Sequence, residues 1–426
     1  AAALAERITE SVDEGSDELA RIVAGGDAFQ TTAKENVSAH HYANVLFNIL
    51  RGGTFDDQYQ VSLRDFKRTL RMFNRELCER HETMLATLPD SLEYAQLLSA
   101  VEGTSDPELE RLTLEYRPIT FGRRHGDPSR PWNQFSINLK KPDGSRRLDY
   151  QGNWRDIFQN WEALLWSYPT FTEGVISKFV NATTADGYNP YRVTRDGIEW
   201  EAPSPDDPWA NIGYWSDHQI IYLQKLLEIS AHFHPGRLQT LLDRRVFSHA
   251  NVPYRIKPYR ELLDDWYDTI EFDAELDGEI TEIVLEMGTD GKLLLGPEGT
   301  VFHVTLVEKL LILLLAKLGN FVPEGGIWMN TQRPEWNDAN NALVGKGVSV
   351  VTTGYLRRYV AFLGDLVAGA ADVSLEVTQE VHALLSAMDV VLQAHRSTLG
   401  GTFTDAERRA VLDALGQATS DYRRQI

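Results

Sequence analysis

The sequence predicts a mainly helical protein, because apolar residues recur at helical spacing along much of the chain. In one stretch, five apolar residues alternate three and four positions apart and form a single stripe on a helix of several turns. They are Leu63, Phe66, Leu70, Phe73 and Leu77. Similar stripes begin at Ile157, Ile220 and Val377, and Thr404 with Glu407 forms a capping-box start signal for the last helix.

Strand signals are few and short. Residues 135–139 alternate apolar and polar side chains, and residues 141–144 predict a turn into a second short strand. Residues 282–286 and 292–295 predict another hairpin around Asp290-Gly291. These hairpins are expected to decorate a helical body.

Composition limits the kind of partner. The formal net charge of −20 repels polyanions, so neither a nucleic acid nor a membrane is an expected partner. The most apolar run, residues 310–316, is far too short to span a bilayer and predicts a buried helix. Cys78, the single cysteine, is expected in the core, and with no secretion signal visible we expect a cytoplasmic protein.

The chain of 426 residues is long enough for two or three domains or for one large helical barrel. We predict a peripheral N-terminal segment, residues 1–40, and a catalytic body, residues 41–426. Three polar stretches, residues 117–130, 188–214 and 319–347, are expected to be long loops. Loops of this length within a compact domain usually carry function.

Three segments crowd charged and amide side chains around tryptophan at a predicted helix start. They are residues 152–160, 213–219 and 332–341. Seven of the ten tryptophans fall between Trp132 and Trp215. Sugar sites use these groups, since a carboxylic acid protonates a leaving oxygen, amides and arginine hold hydroxyls, and an indole covers the apolar face of a pyranose ring.

Each segment alone also has a purely structural interpretation. Ser216 with Gln219 fits a helix capping box, Asn337 and Asp338 fit the cap of the next helix, and Arg155 beside Asp156 fits a buried ion pair. The occurrence of three such segments favours a shared binding site.

In chain order, the segments resemble motifs of the inverting disaccharide phosphorylases, the family that includes the cellobiose, chitobiose and cyclic β-1,2-glucan enzymes. The resemblance covers roughly residues 150–365 and is carried by residues 153–160, 213–223, 322–325 and 334–341. It implies an (α/α)6 barrel, which either closes within this chain or is incomplete.

The resemblance also implies site residues. Asp338 falls at the position of the general acid, Trp336 and Asp156 fall at the donor-sugar subsite, and Arg155 is expected to bind or orient substrate. The other substrate-binding residues that we predict are Trp154, Gln159, Asp217, Arg333, Glu335 and Asn337. No metal site and no cofactor are predicted.

Several positions depart from the family pattern. Tyr150 stands where the family has an arginine, Asn160 replaces an aspartate, and Glu335 is one methylene longer than the family's aspartate. The family's phosphate-binding residues lie well beyond the acid, whereas only a short stretch follows Asp338. Either the chain is a piece of a longer protein or it does not use phosphate.

We therefore predict an enzyme that cleaves a glycosidic bond with inversion, by phosphorolysis of a β-linked di- or oligosaccharide to a sugar 1-phosphate. Inorganic phosphate would be a co-substrate. One alternative is an inverting hydrolase on the same barrel, with Asp217 or Asp156 as the base. Another is a non-catalytic carbohydrate-binding fragment. Oligosaccharide is the expected partner, and further domains of the polypeptide or a homo-oligomer stay open.

Overall fold

Helices dominate the part of the chain that the computed structural model describes, residues 2–120, 140–204, 219–266, 268–330, 345–370 and 374–426. This confirms the prediction of a mainly helical fold, while the (α/α)6 barrel stays a prediction. The helices are α1 (Ala2–Gly25), α2 (Glu35–Gly52), α3 (Leu63–Phe73), α4 (Arg75–Arg80), α5 (Glu82–Leu85), α6 (Tyr94–Glu102), α7 (Pro107–Glu115), α8 (Trp154–Leu164), α9 (Thr172–Asn181), α10 (Gln219–Phe233), α11 (Arg237–Leu241), α12 (Tyr259–Asp264), α13 (Ala274–Met287), α14 (Leu306–Leu318), α15 (Val350–Ala368), α16 (Gln379–Ala394), α17 (Arg396–Leu399) and α18 (Asp405–Arg423).

The strands are short and pair only in small antiparallel sheets. They are β1 (Thr54–Phe55), β2 (Gln60–Ser62), β3 (Ser91–Glu93), β4 (Ile119–Thr120), β5 (Gln151–Asn153), β6 (Arg192–Thr194), β7 (Gly197–Glu199), β8 (Arg245–Phe247), β9 (Tyr254–Ile256), β10 (Ile270–Phe272), β11 (Val304–Thr305), β12 (Phe321–Val322), β13 (Gly326–Trp328) and β14 (Val348–Ser349). Strand order is β5-β6-β7 and β12-β13-β14 in the two three-stranded sheets, and the pairs are β1-β4, β2-β3, β8-β11 and β9-β10.

The apolar stripes predicted from the sequence lie on helices, with one interruption. The stripe that starts at Leu63 is split between α3 and α4, because Asn74 has an extended backbone and its side chain accepts a hydrogen bond from Leu77 N at 3.0 Å. Asparagine favours such caps over helix interiors. Cys78 follows on α4 and is fully buried, as expected.

The predicted hairpin across Asp290-Gly291 is wrong. Residues 282–286 belong to α13, whose start is capped by Asp273, and residues 289–292 form a short 3-10 helix. The apolar spacing Ile280, Val284 and Met287 is helical, and the β-branched residues within it gave the misleading strand pattern. Leu293 forms an isolated bridge with Ala250, and Leu295 forms one with Val301.

Other local predictions are confirmed. Lys141 N donates to Ser145 O at 2.8 Å in the turn before residue 146, and Gly144 has a φ of 80° there. The apolar run 310–316 lies on the buried helix α14, and Thr404 caps α18 through the predicted capping box. The strand expected at residues 135–139 lies outside the described residues.

Two of the stretches predicted as long loops contain short strands. Residues 188–214 hold the hairpin β6–β7, and residues 319–347 hold β12 and β13. Residues 117–130 start with β4, and from residue 121 onward they lie outside the described part of the chain.

One large apolar core joins α3 through α12 with α14 and α15, and a second cluster lies between α14, α16 and α18. A small cluster of Val23, Ala28, Val45 and Ile49 joins α1 to α2. Helix α2 runs across residue 40 and packs against α8. The proposed boundary between residues 1–40 and 41–426 stays a prediction.

Candidate functional site

Helices α8 and α10 run in the same direction. The Lys225 ammonium on α10 lies 3.1 Å from the Glu162 carboxylate on α8. Further along both helices, the Trp166 ring, just after α8, packs on Phe233 at the end of α10, with 5.3 Å between ring centroids. Since the later contact joins the two carboxyl ends, the first turns of α8 and α10 also lie at a common end.

Helix α15 also packs against α10 and runs in the same direction. Arg358 Nε donates to Glu228 Oε1 at 2.7 Å, about midway along each helix. Beyond that point, Phe362 and Leu366 of α15 line one cavity with Leu238, which follows α10. The start of α15 therefore lies at the same end as the starts of α8 and α10.

Each of the three predicted segments is attached to one of these helix starts. Residues 153–160 include the first turn of α8, and residues 213–219 lead into α10. Residues 332–341 lie between β13 and β14, and β14 leads directly into α15. The described helices thus carry the attachment points of all three segments at one end of a parallel layer.

Most of the predicted site residues lie outside the described residues. These are Asp217, Arg333, Glu335, Trp336, Asn337 and Asp338. The backbone of Arg155 and Asp156 is described and forms the first turn of α8. Gln159 is exposed one turn later on the same helix.

Trp154 lies in the core. Its side chain is 1% exposed, and its ring packs against Phe158 and Phe179 with centroid distances of 5.1 and 4.1 Å. The Trp154 backbone N donates to Tyr191 O at 3.0 Å, just before β6, which pairs with β5. The buried ring and this backbone hydrogen bond therefore hold the first turn of α8, which includes the backbone of Arg155 and Asp156, against the core.

The two ends of the segment 331–344 are held together by backbone hydrogen bonds. Gly345 N donates to Met329 O at 2.6 Å, and Met329 N donates to Gly347 O at 3.1 Å. The Trp328 indole Nε1 donates to Gly345 O at 3.1 Å. These hydrogen bonds hold residues 328–329 beside residues 345–347, at the two ends of the segment that includes Asp338. We call these paired ends the base of the segment.

Glycine is required at this base. Gly345 has a φ of 69°, a conformation that residues with a Cβ rarely adopt. A Cβ at this position would lie 2.3 Å from Cε3 of Trp266. The Lys346 ammonium lies over the same Trp266 ring, 4.4 Å from its centroid. Residues 345 and 346 therefore both pack against this indole.

A buried polar cluster that the sequence did not reveal joins α7 to α9. Glu115 accepts hydrogen bonds from Asn181 Nδ2 at 2.7 Å and from Arg111 Nη1 at 3.4 Å. Lys178 Nζ lies 3.7 Å from Glu115 Oε2. Arg111 Nη2 donates to Asp290 Oδ2 at 2.6 Å. Burial raises the pKa of Asp290 to about 6, against the opposing effect of Arg111.

A second buried group surrounds His249, another residue that sequence patterns did not single out. Lys309 Nζ lies 2.7 Å from His249 Nδ1, and Glu308 Oε1 lies 3.5 Å from His249 Nε2. Burial lowers the pKa of His249 to about 4, and the positive charge of the nearby Lys309 acts in the same direction. Within the described residues, no group of three or more histidine, cysteine, aspartate or glutamate side chains is placed to hold a metal ion.

No described helix is both long and apolar enough to cross a bilayer. This finding concerns only the helices within the described ranges.

Residues 55–118 match the family described as glycoside hydrolase family 149 insertion domain 1. No curated protein matches the chain. The family match supports a relation to glycoside hydrolases and related phosphorylases.

The matched segment is part of the main core and not a detached unit. The Phe55 ring stacks on Phe171 with 3.8 Å between centroids. The segment also supplies Arg111 and Glu115 to the buried cluster with Asp290 and Asn181. The match and the three predicted segments come from different parts of the sequence, and both point to carbohydrate chemistry.

Proposed function

We propose that the chain cleaves a β-linked di- or oligosaccharide by phosphorolysis with inversion and releases a sugar 1-phosphate. The observation that carries this proposal is the parallel layer of α8, α10 and α15, because each helix start is joined to one predicted segment. The glycoside hydrolase match at residues 55–118 adds independent support for the class of substrate.

In this proposal Asp338 is protonated and gives its proton to the bridging oxygen as the glycosidic bond breaks. A phosphate oxygen attacks the anomeric carbon from the opposite face, which inverts its configuration. The products are a sugar 1-phosphate and the shortened acceptor, whose new hydroxyl carries the proton from Asp338.

The other predicted residues hold the substrate. Asp156, Arg155 and Trp336 grip the donor sugar, and Arg333, Asn337 and Glu335 surround the acid. Gln159 contacts substrate from α8 and Asp217 from the segment that precedes α10, while Trp154 positions the first turn of α8 from the core.

Phosphate needs local attraction, since the chain carries a net charge of −20. Helix N-termini present partial positive charge and unpaired N–H groups, and α8 and α10 both begin at the same end of the layer. Arg155 and Arg333 would add full positive charges there. This combination favours a phosphate dianion at that end despite the overall charge.

The direct test incubates the full chain with β-linked glucose and N-acetylglucosamine disaccharides and oligosaccharides, with and without inorganic phosphate. The proposal predicts sugar 1-phosphate only when phosphate is present and its loss in Asp338→Asn. Asp365→Asn is the matched control, because Asp365 is exposed near the far end of α15. Reducing sugar released without phosphate would instead establish a hydrolase.

A further inference from the structure

A cavity of about 460 Å³ lies between the end of α18, the strands β9 and β10, and the start of α14. This volume falls within the range of about 300–1,000 Å³ that is usual for small-molecule sites. None of the described residues of the three predicted sugar-binding segments lines the cavity. A function for it therefore does not follow from the proposed reaction.

The floor of the cavity is a fixed chain of buried polar groups. Glu308 is 2% exposed and accepts hydrogen bonds from Thr378 N at 2.6 Å and from Thr378 Oγ1 at 3.2 Å. Lys309 Nζ donates to Thr183 O and faces His249 Nδ1, so the N–H of His249 is on Nε2 and faces Glu308. These contacts hold the Glu308 carboxylate and the His249 ring in place before any ligand arrives.

The walls balance positive and negative groups. Among the described residues, four cationic and four anionic side chains line the cavity, namely Arg255, Lys257, Arg423 and Arg424 with Asp186, Glu271, Glu308 and Glu380. The balance gives a free anion or cation little net attraction. A neutral ligand with many hydroxyl groups can donate to the carboxylates and accept from the guanidinium groups.

Two further features suit such a ligand. Arg423 lines the cavity, and because its buried Nε has no hydrogen-bond partner in the described part of the chain, a rotation of the guanidinium toward the cavity would let an incoming hydroxyl accept from it. Phe302 and Tyr422 line the cavity beside Leu294, and aromatic and apolar surfaces pack against the C–H faces of sugar rings.

From these observations we infer that the cavity is a second carbohydrate-binding site, apart from the proposed catalytic site, and that it takes a neutral mono- or disaccharide. The floor supplies fixed acceptors at Glu308 and the walls supply donors at Arg255 and Arg423. The mixed charges select hydroxyl-rich ligands over phosphate.

The test is hydrogen–deuterium exchange of the full chain with saturating glucose or cellobiose, and separately with inorganic phosphate. We expect the sugars to slow backbone exchange in residues 184–186, 249–258 and 420–426. Phosphate alone should leave these segments unchanged. Absence of protection by both sugars, or equal protection by phosphate, would overturn the inference.

Variants locate the effect. Ala185→Trp fills the cavity, and Arg423→Ala removes the unpaired donor, so each should weaken sugar binding at this site at least tenfold by calorimetry. Ala383→Trp adds the same bulk at an exposed position outside the cavity and should bind sugar normally. Asp338→Asn should keep the binding, which separates this site from the proposed reaction. Unchanged affinity in Arg423→Ala and Ala185→Trp would contradict the assignment.

Discussion

Arg111 and Asp290 form a buried ion pair, with 2.6 Å between Nη2 and Oδ2 and only 1% of each side chain exposed. The pair joins α7, which belongs to the segment that matches a glycoside hydrolase family, to the turn after α13. The two residues are 179 positions apart in the chain. This contact therefore joins parts of the fold that are distant in sequence.

Removing one partner should be costly, because it leaves the other charge buried and unpaired. For Arg111→Met we expect a loss of about 3–5 kcal/mol in the free energy of unfolding, measured by urea denaturation. The control is Arg409→Met, which breaks the exposed pair with Asp413 and should cost about 1 kcal/mol or less. Equal losses in the two variants would show that the buried pair has no special role.

The same carboxyl group gives a pH dependence with a definite sign. Burial raises the pKa of Asp290 from 3.8 to about 6, so between these values the folded state binds the proton more tightly than the unfolded state. This contribution to stability is fully present below about pH 4 and is lost as the pH rises through about 6. The unfolding free energy of the unmutated chain, minus that of Asp290→Asn, should therefore fall over this range. A rise would contradict the assignment.

The base of the segment 331–344 depends on glycine. Gly345→Ala would place a Cβ against Trp266 in a left-handed backbone conformation, so we expect a loss of about 1–3 kcal/mol in stability and lower glycosidic activity. Gly364→Ala is the control, since Gly364 lies on α15 with open space around it. That change should be neutral or stabilise by about 0.5–1 kcal/mol. Full stability and activity in Gly345→Ala would remove the proposed role of this base.

Two predicted site residues on α8, one buried and one exposed, should respond oppositely to replacement by alanine. Trp154→Ala removes a buried indole and should cost about 3–5 kcal/mol in thermal or urea unfolding. Gln159→Ala alters an exposed side chain and should change stability by less than about 0.5 kcal/mol, while raising the Michaelis constant for the sugar. Gln379→Ala, also exposed but on α16, should change neither quantity. An unchanged Michaelis constant in Gln159→Ala would remove that residue from the proposed site.

The helices were predictable because their stripes depend on local spacing, as for the stripe that begins at Ile157 on α8. The break at Asn74 and the helix over residues 282–286 were missed, since a cap and a β-branched run each support two local structures. The parallel direction of α8, α10 and α15 depends on contacts such as Glu228 with Arg358, 130 residues apart, which spacing alone does not contain.

The candidate site, too, could be predicted from the sequence only in part. The crowding of polar residues around tryptophan identified three segments, but it did not distinguish Trp154, which lies in the core, from tryptophans that would stack on sugar. The pairing of Arg111 with Asp290 and the group around His249 gave no sequence signal, because single charged residues within apolar helices usually face solvent.

The most direct measurement of the central claim is a time course by proton and phosphorus NMR on a β-linked disaccharide with inorganic phosphate. The proposal predicts that the first product is the α-anomer of the sugar 1-phosphate, formed one for one with the released acceptor sugar and absent with Asp338→Asn. A β-anomer of the 1-phosphate, or free sugar formed at the same rate without phosphate, would contradict inverting phosphorolysis.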